Sequence, residues 1–307
     1  MTTQLQLVDS DMVPVLLSTR PGEFGSAARR APGVEVKLDW EDAADLGDGY
    51  TVADACEEHQ LDPDTVRSVH LPPGTTDRHG MAAAADNVGT ITDFTHTAFG
   101  DIDPDWLTLH SDRRFDYRDH VDTLGTITDL TGYPIALENT PDSSHLYTPE
   151  DMAVVAFLAE HVDRLADTYL LIDTAHVPMN RSRVAVDEDA VAAVLDRMDA
   201  NLRDRVEETF RAFVQERVAD AVVSLDSDDP WRPALTALLM VGGDRVHAVH
   251  LNDPEDDGAP DVENGAPDGM RAVVEFCRQH DVAIVIEPGK AGQEQVDAVM
   301  EWLVDAV

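Results

Sequence analysis

Eight short apolar runs recur along the chain, and longer amphipathic stretches separate most of them. The runs are PVLLSTR (14–20), VEVKLDW (34–40), VRSVHLP (66–72), DWLTLHS (105–111), PIALENT (134–140), YLLIDTAH (169–176), RVHAVHLND (245–253) and VAIVIEPG (282–289). Each has strand length, and most are rich in Val, Ile and Leu, the pattern of parallel strands covered on both faces. The stretches between them include TVADACEEHQ, YRDHVDTLGTITDLTG, TPEDMAVVAFLAEHVDRLAD and GMRAVVEFCRQH. The third of these carries a helix start: Thr148 as N-cap, Pro149 as first helical residue, Glu150 and Asp151 in the first turn.

Strand and helix alternating eight times predict an α/β fold, a (β/α)8 TIM barrel spanning 1–307 as one domain. A doubly wound open sheet is the alternative. One spacing departs from the repeat. Polar residues ending the third to sixth runs recur every 28 to 40 residues, but 77 residues separate Asp173 from His250. Residues 185–244 read mainly as helix, so an enlarged helical crossover is expected between strands 6 and 7. AVVSLD (221–226) has strand character, but an eight-stranded barrel has no place for it. The acidic, Gly- and Pro-rich stretch 252–270 is expected as a surface loop beside the barrel mouth.

Charge changes the picture of the environment. Sixty-one acidic residues face 22 basic ones, for a net charge of -39, and Lys37 and Lys290 are the only lysines. Self-repulsion on this scale opposes a compact state in dilute buffer. Salt relieves it, because the Debye length shrinks to about 3 Å at 1 M. The composition therefore predicts a halophilic, cytoplasmic protein; an acidic surface meeting a basic partner is the other reading. Two cysteines, Cys56 and Cys277, form no metal-type spacing or disulfide framework. No eighteen-residue apolar run predicts a membrane span, and the N-terminal MTTQLQLVDSDMVPV lacks the features of a secretory signal.

Candidate chemistry lies where the runs end. The third ends in His70, the fourth in His110, the fifth in Glu138, the sixth in Asp173, the seventh in His250 and the eighth in Glu287; His176 follows Asp173 by three residues. Residues two apart on a strand share a face, so small or modest side chains (Ser68, Thr108, Ala136, Ala248, Val285) lie beneath five of these polar ends. His247, of opposite parity to His250, is expected to face the helices. A barrel converges its C-terminal strand ends on one mouth. Three carboxylates and several imidazoles gathered there call for a compensating cation. Oxygen-rich sites suit Mn²⁺, Mg²⁺ or Co²⁺, and more imidazole shifts the preference toward Zn²⁺. Histidines 59, 96, 120, 145, 161 and 280 are expected on solvated faces. Arg113, Arg114, Arg181, Lys290 and His79 follow strand ends and are candidate substrate contacts.

The pieces SVHLP, LTLHS, IALENT, LIDTAH, HAVHLND and IVIEPG, in this order, resemble the xylose isomerase-like TIM-barrel superfamily over nearly the whole chain. That superfamily includes sugar isomerases, ketose 3-epimerases, inosose dehydratases and the endonuclease IV family. The epimerase-type resemblance implies that Glu138, Asp173, His250 and Glu287 hold one divalent metal and that His176 binds a substrate oxygen. It also implies that Glu138 and Glu287 are catalytic, flanking the substrate carbon. One would remove a proton to give an enediolate and the other return it. The implied partner is a carbohydrate-like small molecule.

The endonuclease IV-like resemblance implies a second metal on His70, His110 and a bridging Glu138, with phosphodiester cleavage of abasic DNA as the alternative activity. That family's Asp-x-His motif has its counterpart in Asp261-Val262-Glu263, which lacks the histidine, and no basic or aromatic cluster is present to grip nucleic acid. A non-catalytic metal-binding barrel is a third reading. The 185–244 insert is a candidate either to cover the barrel's side or to pair with another subunit in a homo-oligomer.

Overall fold

The computed structural model describes residues 13–46, 49–74, 80–111, 117–140, 149–179, 200–220, 225–226, 228–263, 265–289 and 291–306. Eight parallel strands follow the eight apolar runs: β1 (Val15–Thr19), β2 (Gly33–Lys37), β3 (Val66–His70), β4 (Trp106–His110), β5 (Ile135–Glu138), β6 (Thr168–Asp173), β7 (Val246–His250) and β8 (Ala283–Ile286). They pair in sequence order, and β1 pairs β8 through Val15 and Ile284, so the sheet closes into a barrel. This is the expected (β/α)8 architecture, not the open sheet.

Ten α-helices are described around the strands: α1 (Trp40–Asp45), α2 (Val52–Glu58), α3 (Val88–Ala98), α4 (Tyr117–Thr131), α5 (Pro149–His161), α6 (His176–Met179), α7 (Ala200–Asp220), α8 (Arg232–Val241), α9 (Asp268–His280) and α10 (Gln293–Ala306). Local chemistry fixes several starts. Asp39 and Thr51 form capping boxes at α1 and α2, satisfying backbone N–H groups that the first turn leaves without partners. Pro149 opens α5 as expected; Thr148 lies outside the described residues. Between β6 and β7 the described parts of the crossover are mainly helical, in α6, α7 and α8. Residues 221–224 lie outside the described residues, and Leu225 and Asp226 belong to no strand.

Strand alternation divides the barrel wall. The outward residues Val34, Val36, Val69, Leu107, Leu109, Leu137, Leu170, Ile172, Val249, Ile284 and Ile286 belong to the main core with the helices. Burying each such side chain contributes roughly 1.5–3 kcal/mol, so this layer carries much of the fold's stability. The inner face has a separate, smaller apolar cluster: Leu16, Trp106, Ala136, Leu171, Ala248, Ala283 and Val285. Above it the lumen is polar. Cys56 and Cys277 are free and buried, in keeping with the absence of a disulfide framework.

His247 corrects its expectation. The β6–β7 register shifts between Leu170, opposite Val246, and Leu171, opposite Ala248, which makes His247 an extra residue on β7. Its ring packs 4.5 Å from Trp106 of the inner cluster and 4.9 Å from Tyr169. A β-bulge breaks the two-residue alternation on which the outward assignment rested.

Candidate metal centre and active site

Strand register brings the predicted site residues together. His110 pairs with Glu138, Asp173 with His250, and Lys37 with His70. All six strand-end residues, His70, His110, Glu138, Asp173, His250 and Glu287, meet at the C-terminal mouth. His176, the first residue of α6, reaches the same group. Their mutual reach defines overlapping sets with donor atoms within 4.8 Å of one another: His70, His110 and Glu138; Glu138, Asp173 and His176; Asp173, His250 and Glu287; and Glu35, His70 and Glu287.

Glu138 is the centre of the arrangement. Its Oε2 lies 2.9 Å from Nε2 of His70 and 3.1 Å from Nε2 of His110. Its Oε1 lies 3.4 Å from Nδ1 of His250 and 3.6 Å from Nδ1 of His176. Nδ1 of His250 is also 3.6 Å from Oε1 of Glu287 and 3.8 Å from Oδ2 of Asp173. The catalytic candidates Glu138 and Glu287 therefore approach the same imidazole nitrogen. His70 and His110 face each other, Nε2 to Nε2 at 3.1 Å, with stacked rings.

Four polar residues not identified in the sequence shape this site. Lys37, on the inner face of β2, donates to Oε1 of Glu287. Asn252 donates from one amide nitrogen to Asp173 at 2.8 Å and to Glu287 at 2.9 Å. Asn139 clasps the backbone of Asp173, accepting from its N–H at 2.7 Å and donating to its carbonyl at 3.2 Å. Glu35 lies fully buried beneath the mouth, 3.0 Å from Nε2 of His250. The available signal was the alternation in VEVKLDW: two ionisable residues on one face of a strand expected to be buried on both sides.

Electrostatics follow from this crowding. Burial raises a carboxyl pKa, but His110 and His70 outweigh it and hold Glu138 well below the usual range. Burial likewise opposes ionisation of Glu287, yet His250 and Lys37 hold its pKa down. At Glu35, burial is overcome by His250 and the pKa is lowered to about 2. Burial pushes His110 down to about 4, against the pull of Glu138. His250 is raised well above an ordinary imidazole because Glu287 and Glu35 together exceed its burial cost. His176 is also raised, burial being outweighed by Asp173 and Glu138.

The donor set fits a divalent cation. Four buried carboxylates, Glu35, Glu138, Asp173 and Glu287, share the lumen with one fixed cation among the described residues, Lys37. Nδ1 of His250 and Oε2 of Glu138 are buried without a hydrogen bond. Buried polar atoms of this kind are costly unless a partner satisfies them. Oxygen donors with one imidazole suit Mn²⁺, Mg²⁺ or Co²⁺.

Other expectations resolve differently. Asp261 and Glu263 are exposed, Asp261 accepts from the Glu263 N–H at 2.9 Å, and neither belongs to the donor sets found among the described residues. His120 is buried, not solvated, because it sits on the inward side of α4. Arg113, Arg114, Arg181, Lys290, His79 and His145 lie outside the described residues. No described helix is long and apolar enough to cross a membrane.

No family model matches the sequence, and no curated protein matches it either. Solved structures do. A 3-keto-D-glucoside 4-epimerase from E. coli is 13% identical, aligned over 95% of this chain and 99% of its own, with a TM-score of 0.52. A D-allulose 3-epimerase from Methylomonas sp. in complex with D-allulose is 16% identical over 91% of this chain and 84% of its own, at 0.46. A sugar phosphate isomerase/epimerase from Parabacteroides distasonis is 10% identical over 94% and 96%, at 0.41. The first of these likenesses and the closed parallel barrel agree: the chain shares the (β/α)8 barrel fold of that epimerase.

Proposed function

We propose that this chain is a divalent-metal-dependent isomerase or epimerase acting on a sugar, sugar acid or cyclitol. The observation that carries the reading is the convergence of Glu138 and Glu287 on Nδ1 of His250, at 3.4 and 3.6 Å, with Asp173 at 3.8 Å. Glu138, Asp173, His250 and Glu287 would hold the metal. When bound, the ion supplies Lewis acidity toward a carbonyl and its neighbouring hydroxyl, acidifying the C–H bond between them.

The protein's residues then have separable tasks. Glu138 and Glu287 are the proton-transfer pair: one takes the α-proton to give an enediolate, and the other delivers a proton. Delivery to the opposite face of the same carbon is epimerisation; delivery at the neighbouring carbon is isomerisation. His176 binds a substrate oxygen through Nε2; its Nδ1 donates to the Asn139 carbonyl at 2.8 Å, which orients the ring. Asn252, donating to both Asp173 and Glu287, fixes the orientation of the two carboxylates. The test is incubation with ketose, uronate and cyclitol panels in D₂O and multimolar KCl with added Mn²⁺, Co²⁺ or Mg²⁺. Deuterium appearing at a carbon next to a carbonyl, and absent in Glu138→Gln, supports the reading. No exchange with any substrate or metal overturns it.

A second reading rests on one observation, the convergence of His70 and His110 on Oε2 of Glu138. That set suits a second ion, Zn²⁺ in preference to Mg²⁺, and metal-dependent phosphodiester hydrolysis. Two or more Zn per chain together with cleavage of an abasic duplex would put it first.

A further inference from the structure

Beneath the mouth, one carboxylate is tied to four strands besides its own. Glu35 of β2 accepts from Ser18 of β1 at 3.2 Å, from Ser68 of β3 at 2.8 Å and from Thr108 of β4 at 3.2 Å. Its Oε1 lies 3.0 Å from Nε2 of His250 on β7, across the lumen. Glu35 and His250 are both 0% exposed. A fully buried carboxylate is costly unless its lone pairs are used, and here Ser, Thr and His use them. It is poorly placed as a metal ligand because its oxygens already serve those donors.

We infer that Glu35 is a positioning residue for the metal centre, fixing the ring of His250 so that Nε2 carries the proton and Nδ1 is the metal-binding atom. The inference rests on the proposed metal site. Two observations on opposite edges of the ring agree. Nε2 meets Glu35, and Nδ1 is the buried atom without a hydrogen bond that Glu138, Asp173 and Glu287 surround. A histidine ligand whose other nitrogen donates to a carboxylate is held in one tautomer and one orientation and is a more basic ligand. Without Glu35 the ring is free to turn or to take the other tautomer, and Nδ1 is no longer presented.

The test is Mn²⁺ affinity, measured by calorimetry in multimolar KCl, for wild type, Glu35→Gln, His250→Ala and the double variant. Glu35→Gln should weaken binding about 10–100-fold. The double variant should bind no more weakly than His250→Ala alone, because Glu35 acts through that ring. Thermal melts of the four metal-free proteins separate loss of binding from loss of fold. A measurement on the unaltered chain stands beside them: ¹⁵N chemical shifts of His250 in the Zn²⁺-loaded protein should show the proton on Nε2. Wild-type affinity in Glu35→Gln, a full additional loss on top of His250→Ala, or a proton on Nδ1 would overturn this inference alone. No metal uptake by wild type would overturn the metal reading, and the inference with it.

Discussion

Lys37 and Glu287 stand 250 residues apart in sequence, at the end of β2 and directly after β8, and meet across the top of β1, where the ammonium donates to the carboxylate. Glu287 is also a candidate metal ligand and proton-transfer group. One carboxylate thus serves a fixed cation and a site that suits a divalent one. The lysine stands out in a chain that has only two among 22 basic residues.

Replacing the lysine by Met therefore has a defined consequence. With its competing cation removed, Glu287 is freer to bind a metal, and like-charge repulsion with a divalent ion disappears. Lys37→Met is expected to tighten Mn²⁺ binding by about tenfold, roughly 1.4 kcal/mol, while lowering the melting temperature of the metal-free protein. Calorimetry and thermal melts of the same samples read both. Weaker Mn²⁺ binding in the variant would mean that Lys37 orders Glu287 for the metal instead of competing with it.

The metal-free fold should lose stability toward acid in two stages. His110 is lowered to about 4. Between its unfolded value near 6.5 and that value, the unfolded chain takes up a proton that the folded chain does not, so stability falls as pH falls. Glu35, lowered to about 2, and Glu138 and Glu287, also lowered, contribute stability above their unfolded values that is lost as pH drops through the folded ones. His250 and His176 act oppositely: being raised, their contribution is full below about 6.5 and is lost as pH rises through their folded values. Urea titrations from pH 7 to 4 should show a decline that His110→Gln flattens by on the order of 2 kcal/mol. An unchanged slope in that variant would remove His110 as the source.

Substitutions at the mouth should separate one metal from two. For a one-metal isomerase or epimerase, His70→Ala and His110→Ala leave metal content at one ion per chain, whereas Asp173→Asn and His250→Ala lower it below one. Glu138→Gln should then cost about 10²–10⁴ in kcat as a lost proton-transfer group. For a two-metal site, either of the first two variants drops the content by one ion. Elemental analysis in metal-free KCl buffer gives the count directly.

Salt dependence follows from the net charge of -39. At about 0.1 M salt the Debye length is near 10 Å, long enough for surface carboxylates to repel their neighbours. The melting temperature should rise steeply from 0.1 M to multimolar KCl, and KCl and NaCl should act alike if screening is the cause. A flat profile would contradict the halophilic reading of the composition.

The sequence by itself determined the barrel and the rim. Eight Val-, Ile- and Leu-rich runs at helix-length spacing leave few ways to cover both faces of a parallel sheet, and the order His70, His110, Glu138, Asp173, His250, Glu287 was legible because each closes a strand. Only the tertiary structure decided what those residues do to one another. Glu35 reads in sequence as an acid in a strand; packing against Ser18, Ser68, Thr108 and His250 makes it a cross-barrel brace. Lys37 reads as a rare lysine, and register at strand β2 turns it toward Glu287. His247 followed parity in sequence and broke it in the fold, since a bulge depends on the neighbouring strand. Periodicity is a property of one segment and can be read from it. Register, bulges and side-chain partners belong to pairs of segments distant in the chain, and closure of the barrel is what brings them together.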